Sequence, residues 1–137
     1  MSDKPASVES FDWVKALSAC SVFEVFERLR LQVKSDVETR DAQREMPRDQ
    51  HYAFGFVSNG REFSAVVRGH KISGSVIFSL DIPSQSIKVR NEKDVLLLDA
   101  TTTINDEGEC RLKVKGQERE LWQVRKMALE SLFFGAY

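Results

Sequence analysis

The sequence predicts one α+β domain over residues 1–137, with two N-terminal helices, a six-stranded antiparallel meander and a C-terminal helix packed on the sheet. Three observations carry this. Apolar residues recur at helical spacing from Val22 to Val37 and again from Leu121 to Leu132. They alternate with polar residues from Ile72 to Ile82. Asn59-Gly60 divides two alternating runs in the way a two-residue hairpin turn does.

Residues 1–9 are mostly polar around Pro5, bury little, and are expected to form a flexible terminus. Ser10 is placed to cap a short helix from Phe11 to Ala19, on which Phe11, Val14 and Leu17 share a face with Trp13 packing beside them. Ser21-Val22-Phe23-Glu24 has the form of a capping box, in which hydroxyl and carboxylate reciprocally satisfy free amides at a helix start. From there Val22, Phe26, Leu29, Val33 and Val37 lay one apolar stripe, widened by Phe23 and Val25. Beyond Val37 the residues are nearly all charged until Pro47 stops the helix. This half is expected to be solvated and laced by pairs such as Asp36 with Arg40, or else to project as an arm that grips a second subunit.

The hairpin of His51 to Gly69 organises the strands. With Asn59 and Gly60 as the centre of a type I′ turn, Ser58 faces Arg61, Phe56 faces Phe63, Phe54 faces Ala65 and Tyr52 faces Val67, which puts the apolar side chains on one side. The run from Ile72 to Ile82 forms the third strand, ended by Pro83. A four-residue loop then sets Ile82 beside Ile87 and Leu80 beside Val89 in a fourth. After a turn at Asn91 to Asp94, a fifth strand from Val95 to Ile104 directs Leu96, Leu98, Ala100, Thr102 and Ile104 inward, if Leu98 pairs with Ile87. Asn105 to Gly108 is a turn cluster, Cys110, Leu112 and Val114 alternate in a sixth strand, and Gly116 closes the sheet. From Glu118 the period is helical, with Leu121, Val124, Ala128 and Leu132 on one face and Trp122, Leu129 and Phe133 broadening it.

A net charge of -1, with 42% hydrophobic and 30% charged residues, excludes a disordered or strongly basic chain. No apolar run approaches the roughly 20 residues of a membrane helix, and Met1 to Ser10 lacks the pattern of a secretory signal, so a cytoplasmic protein without membrane contact is expected. Cys20 and Cys110 have no C-x-x-C spacing and are expected as reduced thiols, with no zinc site, other metal or cofactor.

Three places are candidates for function. The inward sheet face carries Tyr52, Phe54, Phe56, Phe63 and Phe78 beside small residues, which is either interdigitated core or a cup for an apolar ligand with Tyr52 and Thr102 as polar anchors. Helices, a meander and a closing helix are similar in element order to helix-grip ligand-binding domains, although that fold's leading strand is missing and the final helix is shorter. At one end of the sheet His51 lies opposite Arg68, one step from His70, as a weak rim cluster for a metal or a proton. On the outward face Lys88, Arg90, Arg111, Lys113 and Lys115 flank Asp99, Thr101 and Thr103 without the aromatic rings on which bases stack, so no nucleic acid is expected.

Val57, Val66, Ile77, Val95 and Leu97 also point outward, which requires that the first two helices or a second molecule cover them. With no catalytic group assembled, the function expected is a non-catalytic cytosolic interaction or adaptor protein acting as a homodimer. The alternative is a carrier of a small apolar ligand or lipid in a cavity between the sheet and the C-terminal helix.

Overall fold

The computed structural model describes residues 10–43, 52–69 and 73–135. In chain order its elements are α1 (Trp13–Ala19), α2 (Val22–Ala42), β1 (Tyr52–Asn59), β2 (Glu62–Gly69), β3 (Ser73–Asp81), β4 (Ser86–Asn91), β5 (Leu96–Ile104), β6 (Cys110–Val114), β7 (Gln117–Arg119) and α3 (Leu121–Phe134). The strands form one antiparallel sheet in sequence order. The predicted α+β plan is the one adopted, with seven strands instead of six. Lys115 and Gly116, at φ 54° and 79°, reverse the chain so that Gln117–Arg119 pairs with β6 before the last helix begins. That helix starts at Leu121 because Glu120 and Gln123 close a reciprocal capping box, with the Glu120 amide donating to Gln123 Oε1 at 2.8 Å.

Both long helices lie on the same side of the sheet, α2 over β1 to β5 and α3 over β2, β3 and β6. Val25, Phe26, Leu29 and Val33 of α2 and Val124, Ala128 and Leu129 of α3 join Phe63, Ala65, Phe78, Ile87, Val89, Ala100 and Leu112 in one buried cluster. Its centre is aromatic, with Phe63 stacked on Phe78 at 4.8 Å between ring centroids and Phe26 of α2 tilted onto Phe63 at 4.9 Å.

The strand registers differ from expectation by an even step. Asn59 pairs with Glu62, so the turn is centred on Gly60 and Arg61, with positive φ at Gly60 (61°) and not at Arg61, the sign pattern of a type II′ turn rather than I′. Phe56 therefore faces Ala65 and Phe54 faces Val67, two residues from the predicted partners. The same step recurs at β3 and β4, where residues 82–85 form the loop and Leu80 faces Ile87, and at β4 and β5, where Ile87 faces Ala100. A slip of two preserves side-chain parity, so the inward set survives. Leu96 and Ile82 are the exceptions: a bulge between Val89 and Arg90 sets Leu96 opposite Arg90, on the outer face and 48% exposed, and Ile82, moved into the loop, is exposed too.

Two expectations for the N-terminal region are overturned. Asp12, not Ser10, caps α1 by accepting from the Lys15 amide at 3.0 Å, and none of α1 is buried, so Trp13, Val14 and Leu17 are exposed instead of packed. The helix is held at its ends. Phe11 covers Gly108, where an added Cβ would lie 2.7 Å from the ring, and Cys20, which caps α1, is joined to Cys110 on β6 by a disulfide. The two cysteines are therefore paired, not reduced thiols. Their approach is invisible in the sequence because 90 residues separate them.

The charged half of α2 is docked rather than solvated. Asp36 pairs with Arg125 of α3 at 2.7 Å instead of with Arg40, and Asp41 accepts the Phe54 amide of edge strand β1 at 2.9 Å. Arg40 donates to the Phe133 carbonyl at 2.8 Å and places its guanidinium against the rings of Phe54 and Phe134. Arg30, one turn above the core, donates to the Gly60 carbonyl at 2.7 Å and to Ser58 Oγ while lying over Phe26 and Phe63.

Candidate functional site

Because α2 and α3 share the inner side, the outer sheet face is left uncovered among the described residues. Side-chain alternation from the buried residues Phe63, Val76, Phe78, Ile87 and Val89 assigns Glu62, Ser64, Val66, Ile77, Ser79, Lys88 and Arg90 to it. The pairing draws Val57, Ser64, Ile77, Arg90 and Leu96 into one row across five strands, in which Val57 is 46% exposed. Val66 and Ile77 are half-buried by their neighbours, and Gly55 opposite Val66 leaves its Cγ2 as the nearest atom to a missing Cβ.

Beside this apolar row runs a charged one. Lys88 donates to Asp99 at 2.7 Å and lies 3.9 Å from Asp81, while Ser79 donates to Glu62 at 3.3 Å. Along β5 the face opens into a hollow of about 590 Å³, bordered by Leu96, Leu97, Thr101, Lys113 and Lys115. At the other end β3 runs past β4, and Glu92 Oε1 accepts the Ser75 amide there at 2.9 Å. That backbone hydrogen bond favours the ionised form and holds the Glu92 carboxyl below its ordinary value.

Of the predicted interface residues, Val57, Val66 and Ile77 are brought together on this face. Leu97 is the bulged residue. It borders both the outer hollow and a recess beneath Ala128 and Leu132 of α3, and Leu96 takes the outward position in register. The helices expected as a possible cover are elsewhere. The sequence missed Leu96 because only the bulge exchanges it with its neighbour.

The candidate cup residues are distributed differently. Phe54, Phe63 and Phe78 are buried in the core, Phe56 packs 5.9 Å from Phe63 at its margin, and Tyr52 meets Phe54 edge to face at 5.7 Å. Thr102 is half-buried opposite Leu112. Above these rings the space is occupied by Phe26, Leu29 and Val33 of α2. Arg68 is exposed and faces Ala53, not residue 51, while His51 and His70 lie outside the described residues. The described residues contain no cluster of metal-ligating side chains and no helix long and apolar enough to cross a membrane.

Compared with known proteins, the chain matches no family model, no curated protein and no solved structure.

Proposed function

We propose that this chain is a non-catalytic interaction protein that works as a homodimer through the outer face of its sheet. One observation carries the reading: both long helices cover the inner face, leaving Val57, Ile77 and Leu96 in a single cross-strand row that no helix among the described residues covers. An antiparallel sheet that faces solvent normally carries polar side chains there, and clustered apolar ones mark a surface that is covered in use.

Sedimentation equilibrium tests this directly. The wild-type chain is expected to self-associate, and Val57→Asp and Ile77→Asp are expected to sediment as monomers with melting temperatures within a few degrees of wild type, since neither position is core. A wild-type chain that stays monomeric to about 1 mM, the weak end of the affinity scale, would remove the reading.

The cytoplasmic expectation rested on the lack of a membrane-length apolar run and of a secretory pattern in Met1 to Ser10. The Cys20 to Cys110 disulfide favours an oxidising compartment, where such bonds persist.

A further inference from the structure

The outer face is self-complementary about its third strand. From β1 to β5, the apolar row reads Val57, Ser64, Ile77, Arg90, Leu96, with apolar residues at both ends and in the middle. The row beside it reads Asn59, Glu62, Ser79, Lys88, Asp99, with opposite charges at equal distances from Ser79.

We propose that a second copy of the chain docks face to face, related by a two-fold axis that runs parallel to β3 and passes over Ile77. The proposal rests on the homodimer reading above and specifies its geometry. A rotation about such an axis preserves position along the strands while exchanging β1 with β5 and β2 with β4. Ile77 then meets the partner's Ile77, and Val57 lies over the partner's Leu96. Glu62 lies over the partner's Lys88, and the same contact is made a second time by symmetry. The other in-plane axis, across the strands, stacks Arg90 on the partner's Arg90 and Val57 on the partner's Val57. It leaves Glu62 and Lys88 unpaired with each other, whereas the axis along β3, which brings Asp81 over the partner's Asp81, offsets that one like-charge contact with two opposite-charge ones.

The magnitudes fit a weak dimer. Five strands at about 4.8 Å spacing and about six residues in length give a contact rectangle of about 19 by 20 Å, roughly 380 Å² a side, below standard specific interfaces and in the range of weak, transient ones. Aligned sheets keep their strand directions within about 30° of each other and each sheet twists, so the match is best around β2, β3 and β4, where Ile77, Glu62 and Lys88 lie. Acidic Glu62 fits a copy that brings Lys88 to it, since the two stand on either side of Ser79 in the same row.

Charge reversal in trans distinguishes this geometry from any other dimer. Glu62→Lys and Lys88→Glu are each expected to weaken self-association at least about tenfold, because each sets like charges face to face twice per dimer. Mixed in equal amounts, the two variants regain wild-type association, since every facing pair is again opposite in sign. Two chains damaged in folding would not rescue one another. If the mixture stays monomeric while the wild type dimerises, the axis is wrong and the homodimer reading survives. If the wild type never dimerises, both fall.

Discussion

Glu92 illustrates how one side chain can finish a sheet that the backbone leaves incomplete. β3 extends beyond the end of β4, so the Ser75 amide has no strand partner on that side, and the Glu92 carboxylate accepts it at 2.9 Å. The same bond holds the carboxyl below its ordinary value of 4.5. A carboxyl with a lowered folded-state value contributes stability that is present above the unfolded value and is lost as pH falls through the folded one. Acid should therefore weaken the wild type progressively below about pH 4.5, and Glu92→Gln should flatten this part of the profile while lowering stability at neutral pH; thermal melts across pH 3 to 7 check it. Equal acid sensitivity in both proteins would show that other carboxylates set the profile. Gly108 is the converse case, where a missing side chain does the work. At φ 80° it adopts a conformation suited to glycine, and the absent Cβ leaves room for the Phe11 ring that anchors the start of α1.

At the scale of elements, periodicity identified which residues face inward, and pairing decided which of them touch. The faces were legible because parity follows from alternation alone, and Phe54, Phe63, Val76, Phe78 and Leu112 are all buried as their spacing implies. The partners were not legible because turn geometry at Gly60 and in residues 82–85 moved each register by two. Nor was the fate of the charged half of α2. Its sequence resembles a solvated helix end, yet Asp36, Arg40 and Asp41 reach groups on α3 and β1 that only the tertiary fold supplies. α1 depends most on such long-range help, because a seven-residue helix that buries nothing is marginal in isolation. The disulfide at its C-cap closes a loop spanning 90 residues. Replacing Cys20 and Cys110 by Ser is accordingly expected to cost about 2–5 kcal/mol. Amide exchange should rise first in residues 11–20, while α2, tied separately by Arg30, Arg40 and Asp36, keeps its protection. Uniform loss of protection across α2 and the sheet would instead make the disulfide a staple of the whole fold.

At the scale of the whole molecule, the inner and outer faces have opposite needs, and this separates an interaction protein from a carrier. A carrier must leave room between sheet and helix, whereas here α2 lies in that space and Phe63 is enclosed by Phe26, Phe56 and Phe78 with ring centroids 4.8 to 5.9 Å apart. Ala65 and Ala100, also buried, are small where the helix crosses the sheet, so large and small residues interlock as they do in a filled core. If Phe63 is a packing residue, Phe63→Ala removes a buried ring and leaves a hole that the rigid sheet cannot collapse, at an expected cost of about 3–5 kcal/mol. If the rings lined a ligand cup, shortening one would enlarge the cup at a much smaller cost, and the wild type itself would take up an apolar probe. Chemical denaturation of Phe63→Ala, together with titration of the wild type with a fluorescent fatty acid, decides between the two. A large loss of stability with no saturable uptake is expected. Saturable uptake by the wild type, with Phe63→Ala binding the probe and remaining nearly as stable, would move the function from the outer face of the sheet to the inner one.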